Sequence, residues 1–166
     1  MADQMGFNDE TSRRIEAAYL SPELVLQRRT TLDLLQLQPG ERVIDVGSGP
    51  GFLAAEMAAV VGAAGRVVAV DPSESMRTLA AARELPAGAA AIEHCAGDAT
   101  ALPVPDGSAD VVTSTQVYEY VPDVPAALAE VRRVLRPGGR VLVLDTDWDS
   151  LVWHSSDAAR MRRVLA

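Results

Sequence analysis

Five short runs of branched aliphatic residues, separated by stretches of helical character, constrain this chain more than any other feature. They are RVIDV at 42–46, RVVAV at 66–70, a weaker AAIEHC at 90–95, DVVTS at 110–114 and RVLVL at 140–144. Strands that are almost continuously Val, Ile and Leu are buried on both faces, the pattern of a parallel sheet with helices on each side. The intervening segments fit. A glycine turn at 47–51 opens a helix over 52–61 that closes at 62–65. Ser73 starts a helix in which Met76, Leu79 and Ala80 share a face, ended by Pro86-Ala87-Gly88. Asp123 caps a helix whose Val124, Leu128, Val131 and Leu135 recur at core-facing spacing, leaving Arg132, Arg133 and Arg136 to a solvated face. Pro137-Gly138-Gly139 then predicts a stop and a tight turn before the fifth strand.

Two helices precede the first strand. One spans 9–20, with Ile15, Ala18 and Tyr19 as its apolar face. The other starts at Ser21-Pro22-Glu23, where serine caps free amides, proline fits the first position and glutamate suits the positive end. It carries Leu24, Gln27, Leu32 and Leu35 and stops at Pro39-Gly40. The expected architecture is a doubly wound, Rossmann-like α/β domain over 39–166, preceded by a helical cap region at 1–38. A chain of 166 residues has room for one such core.

Charge narrows the partners. Acidic residues number 23 against 15 basic ones, all arginine, for a net charge of −8. Nonspecific nucleic-acid affinity is largely electrostatic, so no nucleic-acid partner is expected. The absence of lysine excludes Schiff-base and phosphate-loop lysine chemistry. The single cysteine, Cys95, makes no internal disulfide and anchors no multi-cysteine metal site. It reads as a small core residue, His94 beside it as structural, and no metal is expected. The polar start of the chain lacks a signal segment, and no apolar run approaches about 18 residues. The expected setting is cytoplasmic, with no membrane partner.

The sharpest local feature is VIDVGSGPGF at 43–52. Glycines in the first strand–helix turn allow a tight bend and close approach of a ligand. A dinucleotide fingerprint, G-x-G-x-x-G, would need its last glycine where Phe52 stands; here the pattern is G-x-G-x-G, with the third glycine at Gly51. Asp71 closes the second strand, where a carboxylate can accept from both hydroxyls of a ribose; a solvated acid opening a turn before Pro72 is the plainer alternative. Together they suggest a nucleoside without a pyrophosphate. Asp98, after Gly97, can accept from an exocyclic amine or can simply form a turn. Asp45, inside the first strand, must reach backbone amides or a cofactor amine, because an unpaired carboxylate there is costly.

At these residues the sequence resembles the class I S-adenosylmethionine-dependent methyltransferases of the small-molecule, methyltransferase type 11 kind. The resemblance rests on VIDVGSGPGF, VVAVDPSESM at 67–76, Gly97-Asp98-Ala99 and the span 110–145, and covers roughly residues 35–147. It implies S-adenosylmethionine as cofactor, a small organic methyl acceptor and strand order 3-2-1-4-5. Gly47, Ser48, Gly49 and Gly51 would pass under the methionine moiety, with Asp45 orienting the turn. Asp71 would hold the ribose, Pro72 and Met76 would line the adenine, Asp98 and the Ala99 amide would meet its amino group, and Gln116 would help hold the reactive end.

Where many relatives read V-L-E-H-V, this chain has Val117-Tyr118-Glu119-Tyr120-Val121, so Tyr120 replaces a histidine. The N/D-P-P-Y/F motif of methylases acting on exocyclic amines is absent, which favours a small-molecule acceptor. Methyl transfer needs little acid–base help when the nucleophile is good, so no strict catalytic set is expected. Tyr118 and His154 are the candidates, the tyrosine to orient an acceptor, the histidine as a base partnered by Asp147 or Asp149. Tyr118, Tyr120 and Tyr19 can equally be packing residues, although Tyr19 could cover the cofactor as part of a lid. The usual sixth and seventh strands are missing, and 158–166 would form only a short helix. A C-terminally incomplete domain is therefore expected, or one completed by self-association or a second chain at the fifth-strand edge. The alternatives to a methyltransferase are a non-catalytic cofactor-binding module and, less in keeping with the glycine spacing, a nicotinamide-dependent oxidoreductase.

Overall fold

The structure, a computed structural model, describes residues 9–149 together with Ser156, Asp157, Ala159, Arg162 and Arg163. The element order is α1 (Asp9–Tyr19), α2 (Pro22–Leu35), β1 (Arg42–Val46), α3 (Phe52–Val61), β2 (Arg66–Val70), α4 (Glu74–Ala81), β3 (Ala91–Cys95), β4 (Ala109–Thr115), a 3-10 turn (Tyr118–Tyr120), α5 (Val124–Val134) and β5 (Leu135–Leu144). The strands form one sheet in the order β3-β2-β1-β4-β5, and every pairing is parallel. His154 and the short helix expected over 158–166 lie outside the described residues, apart from single positions in the latter.

The helix starts follow from capping chemistry. Ser21 Oγ accepts from Leu24 N at 3.4 Å, Ser73 Oγ from Met76 N at 3.4 Å, and Asp123 Oδ1 from Ala126 N at 2.9 Å. Each satisfies an amide that the first turn of a helix leaves without an intrahelical partner. One apolar layer lies between the sheet and α2 and α3, built on Leu35, Val43, Leu53, Met57, Val67 and Val111. The other lies on the α5 side, around Ile44, Val46, Val70, Val112, Val131 and Val134. Successive strand residues alternate between these layers, as the pleat requires.

Three sequence expectations shift. The buried stripe of α5 is Ala127, Val131 and Val134, while Leu128 is 48% exposed and Leu135 has already left the helix. Leu128 lies about a quarter-turn from Ala127, so the smaller residue takes the close contact with the sheet. On α1, Ala18 is exposed and Glu16 is half-buried beside Ile15 and Tyr19. β5 begins at Leu135, opposite Ala109, and resumes pairing at Arg140 opposite Val111, so Pro137-Gly138-Gly139 forms an irregularity inside the strand.

Arginines tie the layers together. Arg140 forks onto Glu41 at 2.7 Å to each carboxylate oxygen and also donates to the Leu35 and Gln36 carbonyls, capping the end of α2. Asp110 accepts from the Arg42 amide and side chain and from Arg136, joining β1, β4 and the β5 irregularity. No helix among the described residues is long and apolar enough to cross a membrane.

Candidate functional site

The carboxyl ends of β1, β2 and β4 meet at the glycine turn, the position in an open parallel sheet where the strand order reverses and ligands bind. Gly47, Gly49 and Gly51 all have left-handed φ, at 69°, 51° and 77°. A Cβ on Gly47 would overlap the Val117 side chain, so the close approach of β1 to the segment after β4 itself demands glycine. Asp71 locks the turn from the neighbouring strand. Its Oδ2 accepts from Gly49 N and its Oδ1 from Ser73 N, both at 2.8 Å. Burial still raises its pKa, against the opposing pull of those two amides. The carboxylate is thus an organiser of the turn as well as a candidate ribose acceptor.

Beside the turn lies a cleft of about 90 Å³, lined by Tyr19, Gln27 and Thr31 from the helical region and by Asp45, Ser48 and Gln116 from the sheet end. Its lining holds buried polar atoms with no hydrogen bond among the described residues: Thr31 Oγ1, Asp45 Oδ2 and Ser48 Oγ. Asp45 pairs in register with Thr113, whose Oγ1 is likewise unsatisfied. Such groups each cost about 1–3 kcal/mol when left unmade, so a cluster of them marks a place built for a polar occupant. Asp45 is 2% exposed, and burial, followed by repulsion from Asp71, pushes its pKa up to about 7.

Gln116 adopts a left-handed φ of 58° just beyond β4, and its Oε1 accepts from Thr146 Oγ1 at 2.7 Å. The following turn is held by Asp145, whose Oδ1 accepts from Val117 N at 2.7 Å and Tyr118 N at 3.1 Å. Asp145 was not among the residues that the sequence pointed to. The signal available was an acid closing β5 next to a segment that closes β4.

On the β2–β3 side, Met76 and Ala99 are buried and Pro72 is exposed. Asp98 Oδ1 accepts from both Thr100 N at 2.8 Å and Thr100 Oγ1 at 2.6 Å, so one oxygen of this carboxylate serves the turn. Arg133 braces the same loop from α5, donating to the Leu102 and Val104 carbonyls and pairing with Asp106 and Glu130. It belongs to this network rather than to the solvated face its helix position suggested. Arg133→Ala is expected to lower stability by about 1–3 kcal/mol, with faster amide exchange confined to 98–107. Hydrogen exchange checks it.

Of the two candidate catalytic residues, only Tyr118 is among the described residues. Tyr118 is 7% exposed, packed in the α5-side layer with no hydroxyl partner among the described residues, and does not line the cleft. His154 lies outside the described residues. Tyr120, at 59% exposure, is the open tyrosine of the pair. Tyr19, weighed above as lid or packing residue, stacks on Phe52 with centroids 5.8 Å apart, and its hydroxyl lies 3.5 Å from where a Cβ on Gly49 would stand. It covers the turn.

A methyltransferase-domain family model matches residues 44–143, from β1 through β5. The chain belongs to the class I S-adenosylmethionine-dependent methyltransferases. It is 43% identical over 120 residues to an uncharacterized 37.1 kDa protein of transposon TN4556 from Streptomyces fradiae, covering 72% of this chain and 34% of that one. It is 40% identical over 121 residues to the ubiquinone/menaquinone biosynthesis C-methyltransferase UbiE of Ectopseudomonas mendocina, covering 72% and 47%. Among solved structures, phosphoethanolamine N-methyltransferase 2 of Haemonchus contortus, in complex with S-adenosyl-L-methionine, is 25% identical with a TM-score of 0.73, covering 85% of this methyltransferase-family chain and 34% of the other. The chain thus spans between a third and about half of the length of these relatives.

Proposed function

We propose that this family member binds S-adenosylmethionine across the carboxyl ends of β1, β2 and β4 and passes its methyl group to a small organic acceptor. The observation that carries the reading is the turn of left-handed glycines pinned by Asp71 beside a cleft of unsatisfied buried polar atoms. The cofactor, when bound, supplies an electrophilic methyl on a sulfonium. The chain's own residues bind and orient it. The 47–51 turn passes under the methionine portion. Asp71 keeps lone pairs beyond its two amide bonds for the ribose hydroxyls. Pro72 and Met76 flank the adenine, and Asp98 and the Ala99 amide face its amino group. Asp45 Oδ2, buried and without a partner among the described residues, suits the α-ammonium, and Gln116 closes the reactive end.

In this reading residues 1–38 are a cap and 39–166 the cofactor domain. Catalysis rests on holding the acceptor in line and excluding water rather than on an acid–base pair. A small-molecule acceptor agrees with the names of two of these relatives, a ubiquinone/menaquinone biosynthesis C-methyltransferase and a phosphoethanolamine N-methyltransferase, and a reducing, cytoplasmic setting suits the single cysteine.

Calorimetry tests the proposal. S-adenosylhomocysteine binds, NAD does not, and Asp71→Asn weakens the former about a hundredfold. Because Asp71 also holds Gly49 and Ser73, thermal unfolding of the variant is measured alongside, and binding must fall where most of the protein remains folded. NAD binding as tightly as S-adenosylhomocysteine would overturn the assignment.

A further inference from the structure

Helix α1 is attached to the domain in an unusual way. None of its described side chains is fully buried; Ile15, Glu16 and Tyr19 are half-covered and the remainder exposed. At 11 residues it is too short to be stable by itself in water. Among the described residues, two arginines and one ring contribute to its docking.

Arg83, just beyond α4, is the centre of that attachment. Its Nη2 pairs with Glu16 Oε1 of α1 at 2.6 Å, and its Nε donates to the Pro50 carbonyl inside the glycine turn. Its guanidinium lies 3.4 Å from the centroid of Phe52, the first residue of α3. Arg28 of α2 stands 4.8 Å from the same ring, donates to the Tyr19 carbonyl at 2.6 Å and pairs with Glu56 of α3 at 3.2 Å. Tyr19 stacks on that ring as well. One guanidinium therefore grips the cap helix and the backbone of the glycine turn at once, while the aromatic residue at the end of α1 is held over Gly49.

We propose that Arg83 is a positioning residue that clamps α1 onto the glycine turn, so that release of this clamp limits entry and exit of the cofactor. The inference rests on the cofactor reading above and adds a gate to it. The physical basis is that ion-pair and cation–π contacts at a partly exposed surface are individually weak and open locally without unfolding the core. Tyr19 lines the cleft together with Asp45, Gly47 and Gln116, so a ligand reaching those groups passes beneath it. Burial, and then the Asp45 and Asp71 carboxylates, raise the Tyr19 pKa, which keeps its hydroxyl neutral over the turn. Closing α1 and ordering the turn are then one event, because both end on the same side chain.

The test compares wild type with Arg83→Gln and Glu16→Gln, which break the clamp from opposite sides, and with Arg83→Lys, which keeps the charge but loses the planar face over Phe52. Hydrogen exchange of the ligand-free chain reads α1 directly, and stopped-flow displacement of S-adenosylhomocysteine reads the gate. Both glutamine variants are expected to speed exchange across 9–19 at least tenfold and to raise association and dissociation rates together, about tenfold, so that the equilibrium constant moves far less. The lysine variant falls between. Unchanged α1 exchange in both glutamine variants overturns the clamp. Loosened α1 with unchanged ligand rates overturns the gate. Failure of wild type to bind S-adenosylhomocysteine at all overturns the cofactor reading instead, while the clamp is still decided by exchange in the free protein.

Discussion

Gly51→Ala lowers the stability of the fold by about 3 kcal/mol, the sum of two independent costs. The first is conformational: Gly51 sits at φ 77°, ψ 16° as the residue entering α3, and an L-side chain in that region costs about 1–2 kcal/mol. The second is steric. The added methyl would stand 2.6 Å from Ala80 Cβ and 3.0 Å from Ala80 Cα, and a backbone atom inside a packed helix does not step aside. Overpacking of this kind costs about 1–3 kcal/mol. Gly88→Ala is the control, since it has φ 82° but nothing within 4 Å of the new methyl; it is expected to cost about 1 kcal/mol. Denaturant unfolding of the two variants checks the pair. Equal losses would mean that the approach of α4 to the glycine turn contributes nothing.

Asp45→Asn removes a pH dependence of stability amounting to about 4 kcal/mol between acid and neutral solution. The folded pKa of Asp45 is pushed from 3.8 up to about 7, first by burial and then by Asp71. A group raised in the folded state holds its proton more tightly there than in the unfolded chain. Its contribution is therefore fully present below the unfolded pKa near 4, falls steadily as pH rises, and is gone once pH passes about 7. Glu41, Asp98 and Glu130, held ionised by Arg140, Thr100 and Arg133, act in the opposite direction and lose stability as pH falls. The difference between wild type and Asp45→Asn cancels them. Urea unfolding at pH 5 and pH 8 should show the asparagine variant gaining on wild type as pH rises, and parallel curves would refute the burial argument.

In the proposed site the same carboxylate would link pH to ligand affinity. A cofactor ammonium held beside Asp45, as proposed, would favour its ionised form, so S-adenosylhomocysteine is expected to bind more tightly as pH rises through the titration. Methylthioadenosine, which lacks the amino-acid end, should show no such slope, and neither ligand should show it in Asp45→Asn. This separates the methionine end of the site from the nucleoside end.

Most of the sheet and the glycine turn at its centre were legible in the chain itself. The Val and Ile runs of β1 and β2 could only be doubly buried strands, and the structure starts and ends them where the sequence does. Ser21, Ser73 and Asp123 announced three helix starts because a cap acts within three residues of itself. The glycine turn and Asp71 could be paired from the logic of a parallel sheet, in which neighbouring strand ends must face one ligand. Leu128 was misread for a related reason: periodicity gives the face of a helix only to within a residue, and the choice between Ala127 and Leu128 depends on how closely the sheet approaches.

The sequence by itself determined the type and order of the elements, the parallel sheet and the turn at its centre, because periodicity, capping and turn conformation act between residues a few positions apart. Only the tertiary structure decided that Asp45 Oδ2 is buried without a hydrogen bond among the described residues, that Tyr118 faces the α5 layer, and that Arg83 joins α1 to the glycine turn. Those outcomes depend on groups such as Glu16 and Arg83, 67 residues apart, or Glu41 and Arg140, 99 apart. No local pattern encodes such a pairing. It exists once the sheet has brought the strand ends together and desolvation has selected which charges must meet.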